Sequence, residues 1–124
     1  MKQGDIYHIK DFNFEDGSSK NKYAIILSKT DCFLDILFTL TTSLVDKNSS
    51  KLKETDYVII RSGTGCFKLD TMILINKIRR FQRDEFLKLD IEYKCELDPD
   101  YLIEIKRKII SSANVKDFIK KFII

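Results

Sequence analysis

One run of strand-forming residues constrains this chain more than any other feature. Residues 71–81 are rich in β-branched and other apolar side chains, and the run ends in a basic cluster. Lys77, Arg79, Arg80 and Arg83 fall within seven positions with no acid among them. Cations at the end of a strand are held in position, and positioned cations suit a phosphate backbone. The run therefore predicts one bent strand, or two short ones, beside a site for a polyanion.

Length and composition predict a single globular domain over residues 1–124. Apolar residues make up 44% of the chain and charged residues 33%, which is typical of a folded protein. The net charge of +3 does not by itself indicate a nucleic-acid partner. Its distribution is more informative, because residues 61–124 carry 14 Lys/Arg against 10 Asp/Glu, whereas residues 1–60 carry 8 against 9.

The cysteines and the hydropathy pattern indicate a cytoplasmic protein. Cys32, Cys66 and Cys95 are odd in number, widely spaced and without a CxxC pair, so we expect three unpaired thiols, no disulfide framework and no zinc site. The first 20 residues are too charged for a signal peptide. No apolar run approaches the roughly 18–20 residues that span a bilayer. We expect no membrane segment, no metal and no cofactor.

The period of the apolar residues predicts strands first and helices afterwards. Residues 10–21 are polar and glycine-containing, so we expect a mobile loop there. Residues 22–28 form an unbroken apolar run, which indicates a central strand buried on both faces. The predicted strands are residues 6–9, 22–28, 34–42, 56–61 and 71–81, with turns at 30–31 and 62–65 and a polar loop at 45–53.

Helical spacing begins after the basic cluster. Residues 83–89 predict a short helix, and Asp98-Pro99 is a good helix start because Asp caps free amides and Pro suits the first helical position. We expect Asn114 to cap a last helix. The apolar faces of the two C-terminal helices are predicted to contain Leu102, Ile105, Ile109 and Ile110, then Phe118, Ile119 and Phe122. The predicted fold class is mainly β with C-terminal helices, built as a small SH3-like antiparallel barrel.

Three segments resemble the MazF/PemK toxin family, in the family's order. Gly4-Asp5-Ile6-Tyr7 is similar to the opening G-[DE]-[IV]-[WY]. Residues 22–28 are similar to the family's R-P-hydrophobic strand, and residues 67–81 to its K-x-D-[ST]-x-[IL]-L-x-x-[QK]-[IP]-R-[TS]-I pattern. Residues 40–43 fall where the family ends its third strand in a Thr/Ser cluster. The resemblance covers residues 4–83.

The resemblance implies a homodimeric barrel with endoribonuclease activity. The MazF/PemK toxins cleave single-stranded RNA without a metal. The 2′-hydroxyl of the RNA attacks the adjacent phosphate and leaves a 2′,3′-cyclic phosphate. A peptide antitoxin normally occupies the RNA groove, so the resemblance implies an antitoxin as well as RNA as partners.

The resemblance also assigns two catalytic residues. Lys22 stands where the family places its catalytic arginine, and Thr41 matches its catalytic threonine. Lysine keeps a positive charge but loses the planar fork of arginine, so the exchange is not conservative. A desolvated lysine can also act as an acid or a base. Read without the family, Lys22 is a solvated residue at a strand start and Thr41 an ordinary strand threonine.

Further residues are predicted to bind RNA. The set is Thr42, Ser43, Asn76, Lys77, Arg79 and His8. Arg79 matches the arginine that follows the family's apolar run, and we expect Arg80 and Lys77 to face away from it. Asn76 stands where several family members have an acid, and an amide reads a base but cannot take a proton. His8 is a candidate base, or else a half-exposed structural residue.

Two other function classes stay open. The first is a catalytically inactive MazF-like barrel that binds RNA or a protein. This class includes proteins that act like the gyrase inhibitor CcdB, which shares the barrel. The second is an interaction protein that uses its apolar C-terminus. The C-terminus is unusually apolar for a short helix, at Phe118, Ile119 and residues 122–124. Such a surface belongs to the core, to a dimer interface or to a partner site.

Overall fold

The computed structural model describes residues 1–29, 34–43 and 51–124. Cys32, the predicted turn at 30–31 and most of the predicted loop at 45–53 lie outside these residues. The strands are β1 (Asp5–Asn13), β2 (Ser19–Ile26), β3 (Asp35–Thr42), β4 (Tyr57–Ile60), β5 (Thr71–Gln82) and β6 (Asp90–Glu96). The helices are α1 (Arg83–Leu87), α2 (Pro99–Ser111) and α3 (Asp117–Ile123), and a 3-10 turn covers Glu54–Asp56.

The sheet has an apolar cluster on each face. Strand β2 lies inside the sheet, between β3 and β1, and its side chains alternate between the two clusters. Ile25 and Leu27 join the cluster that contains Ile105 of α2 and Ile123 of α3. Ala24 and Ile26 join the opposite cluster, which Phe86 of α1 covers. The prediction that this strand is buried on both faces is confirmed.

The described strands form one open antiparallel sheet. Its order is β4-β5-β3-β2-β1-β6, so β4 and β6 are the two edges. Helices α2 and α3 pack on one face, which confirms the predicted fold class of a mainly β protein with C-terminal helices. The described strands do not close into the predicted barrel, because β4 and β6 do not pair. Of the helices in the described part of the chain, none is both long and apolar enough to cross a membrane.

The expectation of unpaired cysteines was wrong for Cys66 and Cys95. The two form a disulfide, with Cα atoms 6.1 Å apart and a separation of 29 positions in sequence. Cys66 lies in the connection from β4 to β5, and Cys95 lies in β6. Cysteine spacing did not reveal the pair because the contact depends on how that connection returns to the other edge of the sheet.

The predicted loop at residues 10–21 was also wrong. Most of it is a hairpin, in which β1 continues to Asn13 and β2 begins at Ser19. Phe12 is fully buried, and the amide of Phe14 donates to the Ser18 carbonyl at 2.8 Å across the turn. The polar residues that suggested a loop lie largely on the solvent side of this hairpin. The exposed face of a strand is polar, so its residue composition resembles that of a loop.

The C-terminal half differs from the prediction in two places. Strand β6 was not predicted, although Ile91, Tyr93 and Cys95 alternate with charged residues at the strand period. Asn114 does not cap the last helix, because α3 begins three positions later, after Lys116. The Asp98 cap is confirmed, since its carboxylate accepts from the Asp100 amide at 2.9 Å.

The apolar face of α2 is narrower than predicted. Ile105 and Ile109 are fully buried, and Leu102 packs against their cluster, whereas Ile110 is largely exposed. Ile110 follows Ile109 directly, so it is turned about 100° around the helix axis from it. The helix therefore contacts the sheet through a narrow stripe.

Candidate functional site

Lys22 and Thr41 lie together at the end of two paired strands. Strands β2 and β3 pair with Ala24 opposite Leu40. Continued in this register, Lys22 lies opposite Thr42 and is displaced by one position from Thr41. The Lys22 ammonium donates a hydrogen bond to the Thr41 backbone carbonyl, with Nζ 3.3 Å from the oxygen. Thr41 is only 5% exposed, and Lys22 is half-buried. The register thus holds a cation against the end of β3.

The surroundings of Lys22 make its ammonium easier to deprotonate. Burial lowers the pKa of Lys22 below its usual value of 10.5, and the nearby charge of Lys20 lowers it further. Lys20 and Lys22 are two positions apart on β2 and share one face of the strand. Partial removal of water also strengthens the field that the ammonium exerts on a bound anion.

Two clefts meet at this pair. The first, here called the basic cleft, has a volume of about 470 Å³, and its polar lining includes Lys20, Lys22, Thr41, Thr42, Lys77 and Arg79. The second, here called the loop cleft, has a volume of about 370 Å³ and is lined in part by Lys22, Tyr23, Thr41, Ser43, Phe67 and Lys68. Lys22 and Thr41 line both clefts, so a ligand that extends from one to the other passes them.

An irregularity in β5 brings Lys77 into the basic cleft. Thr39 pairs with Ile78 and Thr41 with Ile73, so residues 74–77 of β5 lie opposite Leu40 alone. The Thr39 hydroxyl donates to the Leu74 carbonyl oxygen at 3.4 Å across this irregularity. Such bulges redirect side chains. The expectation that Lys77 faces away from Arg79 was wrong, because Lys77 and Arg79 both line the basic cleft. Residues two apart in a strand share a face.

Arg79 is held in place by the β1–β2 hairpin. Its Nη1 donates to Glu15 Oε1 at 2.6 Å, and its guanidinium lies over the rings of Phe12 and Phe14, 5.2 and 5.4 Å from their centroids. The side chain is 26% exposed. The hydrogen bond from Arg79 lowers the pKa of Glu15. The tip of the hairpin, with Glu15 and Asp16, therefore forms one wall of the basic cleft.

Arg80 lies on the opposite face of β5, as predicted. Its guanidinium bonds Asp35 at 2.7 Å and lies 5.9 and 5.6 Å from the ring centroids of Phe118 and Phe122 in α3. The predicted basic cluster is thus divided by the strand, with one arginine at a cleft and the next against a helix.

Two predicted RNA-binding residues lie elsewhere. His8 pairs with Tyr23 of β2 and Glu92 of β6, and its ring packs against the Tyr23 ring at 5.2 Å. Asn76 is exposed within the β5 irregularity. Neither is among the described residues that line the two clefts.

Sequence reasoning missed Lys20, Glu15 and Lys68 as parts of these clefts. Lys20 had a signal, since it precedes Lys22 by two positions in a strand and so shares its face. The contribution of Glu15 depends on the hairpin crossing to β5, and the contribution of Lys68 depends on the path of the β4–β5 connection. Neither arrangement leaves a local pattern in the sequence.

Comparisons with known proteins place the fold. No protein-family model matches the chain, and no curated protein matches it. Among solved structures, an endoribonuclease in complex with its cognate antitoxin from Mycobacterial species aligns with a TM-score of 0.63 and 15% identity, over 94% of this chain and 97% of that one. A chain of the MazE–MazF crystal structure (Form-II) from Deinococcus radiodurans aligns with a TM-score of 0.65 and 16% identity, over 90% of this chain and 93% of that one.

The likeness extends over nearly the whole of both chains. At this low identity it concerns the backbone and not the side chains of the clefts. The protein therefore has a MazF-like fold.

Proposed function

We propose that this protein is a metal-independent endoribonuclease toxin of a toxin–antitoxin pair, which cleaves single-stranded RNA. One observation carries the proposal: the Lys22 ammonium lies 3.3 Å from the Thr41 carbonyl at the point where the two clefts meet. The fold and the cationic lining of the basic cleft support it. A strand of RNA that runs through both clefts would pass its scissile phosphate over Lys22.

The reaction needs little from the protein because RNA carries its own nucleophile. The 2′-oxygen forms a bond to the adjacent phosphorus, and the bond from phosphorus to the 5′-oxygen breaks. One proton leaves the 2′-hydroxyl and one reaches the departing 5′-oxygen, so the products are a 2′,3′-cyclic phosphate and a 5′-hydroxyl. Between these states the phosphorane carries extra negative charge, and a preorganised cation stabilises it.

Lys22 is the residue that meets this charge. An ammonium has three N–H donors, and its bond to Thr41 employs one, so the others can be directed at phosphate oxygens. The lowered pKa of Lys22 also makes it a better proton donor to the leaving oxygen than an ordinary lysine. In this mechanism Thr41 orients the ammonium through its carbonyl and binds the phosphate through its hydroxyl.

The remaining cations bind the flanking nucleotides. Lys77 and Arg79 in the basic cleft contact phosphates, and Thr42 and Ser43 add hydroxyl donors on either side of the junction. His8 and Asn76 receive no step, since they lie away from both clefts. We also propose a homodimer and a peptide antitoxin that competes for the same cationic lining.

Cleavage of labelled RNA tests the proposal. We expect the purified protein to cut single-stranded RNA in the presence of EDTA and to leave a cyclic phosphate, whereas an all-deoxy strand of the same sequence stays intact because it lacks the nucleophile. Protein carrying Lys22→Ala, purified in parallel, controls for contaminating ribonuclease. RNA that is bound but never cut would instead support the alternative of an inactive, RNA-binding protein.

A further inference from the structure

We propose that the Cys66–Cys95 disulfide positions one wall of the loop cleft, so that RNA binding in this cleft depends on the redox state of the two cysteines. The inference rests on the proposed function, since it names RNA as the ligand. It concerns residues that the cleavage mechanism does not use.

The disulfide attaches the β4–β5 connection to edge strand β6. Cys66 lies in the connection that follows edge strand β4, and Cys95 lies in β6, the edge strand at the other end of the sheet order. The connection lies directly against β6 at this point, because a Cβ built on Gly65 would be 3.5 Å from Cys95 Sγ and 3.9 Å from the Glu96 carbonyl. The bond therefore attaches a connecting segment to a strand with which β4 does not pair in the described sheet.

The same connection forms a wall of the loop cleft. Cys66 and the three residues after it, Phe67, Lys68 and Leu69, all line the cleft in which Lys22 and Thr41 lie. Phe67 is buried, and its ring packs edge-on against Tyr23 of β2 at 5.5 Å. Lys68 is exposed and supplies a cation to this wall. A shift of Cys66 is thus passed directly to residues that would touch RNA.

The hydrogen bonds of the connection mostly fold it on itself. The Gly63 amide donates to the Phe67 carbonyl at 2.9 Å, and the Ser62 amide donates to Asp70 Oδ1 at 2.8 Å. These bonds keep the shape of the turn, whereas the disulfide fixes where the turn lies relative to β6. Lys22 and Thr41 are placed differently, since they lie on strands that pair with each other. Loss of the disulfide should therefore loosen the wall and leave the catalytic pair in place.

Opening the disulfide is a two-electron reduction by a dithiol. The S–S bond of the protein breaks, and each sulfur takes up one proton. The dithiol loses two electrons and two protons and forms its own disulfide. Both cysteines are partly exposed, and Cys66 lines an open cleft, so such a reagent can reach the bond.

The test compares oxidised protein with protein reduced by dithiothreitol, in a Cys32→Ser background so that only Cys66 and Cys95 change state. Binding is measured by fluorescence anisotropy with single-stranded 2′-O-methyl RNA, which lacks the nucleophile. We expect reduction to raise Kd about tenfold, because the wall must then be ordered on binding. With cleavable RNA, KM should rise while kcat stays unchanged, and far-ultraviolet circular dichroism should not change.

A double-mutant cycle separates positioning from general stabilisation. Lys68→Ala should raise the Kd for RNA in the oxidised protein. In the reduced protein the same substitution should change the Kd little, because the wall that contains Lys68 is already displaced there. Lys77→Ala, in the other cleft, should weaken binding equally in both states. The double variant Cys66→Ser/Cys95→Ser should behave as the reduced protein does, with or without dithiothreitol.

Several results would overturn the inference. Equal Kd values for the oxidised and reduced protein would do so, as would equal effects of Lys68→Ala in the two states. Loss of the folded state on reduction would also do so, since the disulfide would then be a general stabiliser. The proposed function fails separately: in that case neither form binds or cuts RNA, whereas cleavage with identical KM in both forms removes only this inference.

Discussion

Two adjacent arginines of β5 serve opposite faces of the sheet. Arg79 lies over Phe12 and Phe14 at the basic cleft and bonds Glu15 of the hairpin. Arg80 lies beneath the rings of α3 and bonds Asp35, whose side chain is only 17% exposed. The two side chains have the same chemistry and similar partners, one carboxylate and two aromatic rings each. What differs is whether the surroundings are a groove or a helix.

The comparison teaches that a cluster of charge in a sequence need not be one site. Neighbouring residues of a strand point to opposite faces, so neighbouring cations contact different parts of the molecule. On the cleft face Arg79 lines a groove that a ligand can enter, although Glu15 already bonds its guanidinium. On the helix face the cation joins α3 to the sheet. Substitutions on the two faces should therefore have different effects.

Removing the cation at the junction of the clefts should have the greatest effect on activity. Lys22→Ala should lower kcat by about 10² to 10³, the usual cost of losing one preorganised charge-stabilising group. The free energy of unfolding should change little, because the side chain is only half-buried and its bond to Thr41 is long. Cleavage kinetics and urea unfolding measure the two quantities. A variant that cuts RNA at the original rate would remove Lys22 from the mechanism.

Replacing the cleft arginine should affect binding more than it affects the fold. Arg79→Ala should weaken RNA binding by about tenfold and reduce the slope of log K against log salt by about one, as expected for one lost phosphate contact. Arg80→Ala is the matched control, and its RNA affinity should stay at the original value. Salt-dependent anisotropy titrations check both variants. If the two variants lose the same affinity, the division between faces is wrong.

The helix-face arginine should instead affect stability. Arg80→Ala should lower the free energy of unfolding by about 1 kcal/mol, since it removes two ring contacts and an ion pair whose arginine is 47% exposed. Urea denaturation at neutral pH provides the measurement. Phe118→Ala should remove part of the same contact, so the two effects should be less than additive. Full additivity would show that the arginine does not hold the helix.

The pH profile of cleavage should reveal the state of Lys22. If the protonated ammonium is the active form, the rate falls as pH rises through the pKa of Lys22, which burial places below 10.5. Lys22→Arg should lose this alkaline limit, because a guanidinium stays charged. Rates measured from pH 7 to 10 on both proteins, with the substrate checked for spontaneous hydrolysis, test this. An identical alkaline limb in both would assign the titration to another group.

The smallest expected change in RNA affinity comes from replacing Glu15, the acid that bonds Arg79. Glu15→Gln should tighten RNA binding by a factor of about two to five, because an ion pair with an exposed carboxylate is worth little and its loss frees the guanidinium for phosphate. Asp16→Asn removes a charge from the same wall without touching the pair, so it reports the general effect of charge. Anisotropy at low salt measures both. Equal gains would mean that Glu15 acts only as a diffuse charge.

Much of the local structure was encoded in the sequence. The apolar run of β2 predicted a strand buried on both faces, and Asp98-Pro99 predicted the start of α2. The alternation that separates Arg79 from Arg80 also follows from period two alone. These features depend on neighbours within a few positions, so a local pattern records them. Lys22 and Thr41 were named from the family resemblance, and their roles stay predictions.

Only the tertiary structure decided which distant residues meet. Strand β2 had to pair with β3 in one register to bring the Lys22 ammonium to Thr41, and the hairpin had to cross β5 to place Glu15 on Arg79. The Cys66–Cys95 bond required the β4–β5 connection to return to β6. Periodicity reports which face of a strand a residue occupies, but not what lies opposite that face. Partners far apart in sequence are chosen by the packing of the whole sheet, because only that packing compensates for the entropy lost when the intervening chain is closed into a loop.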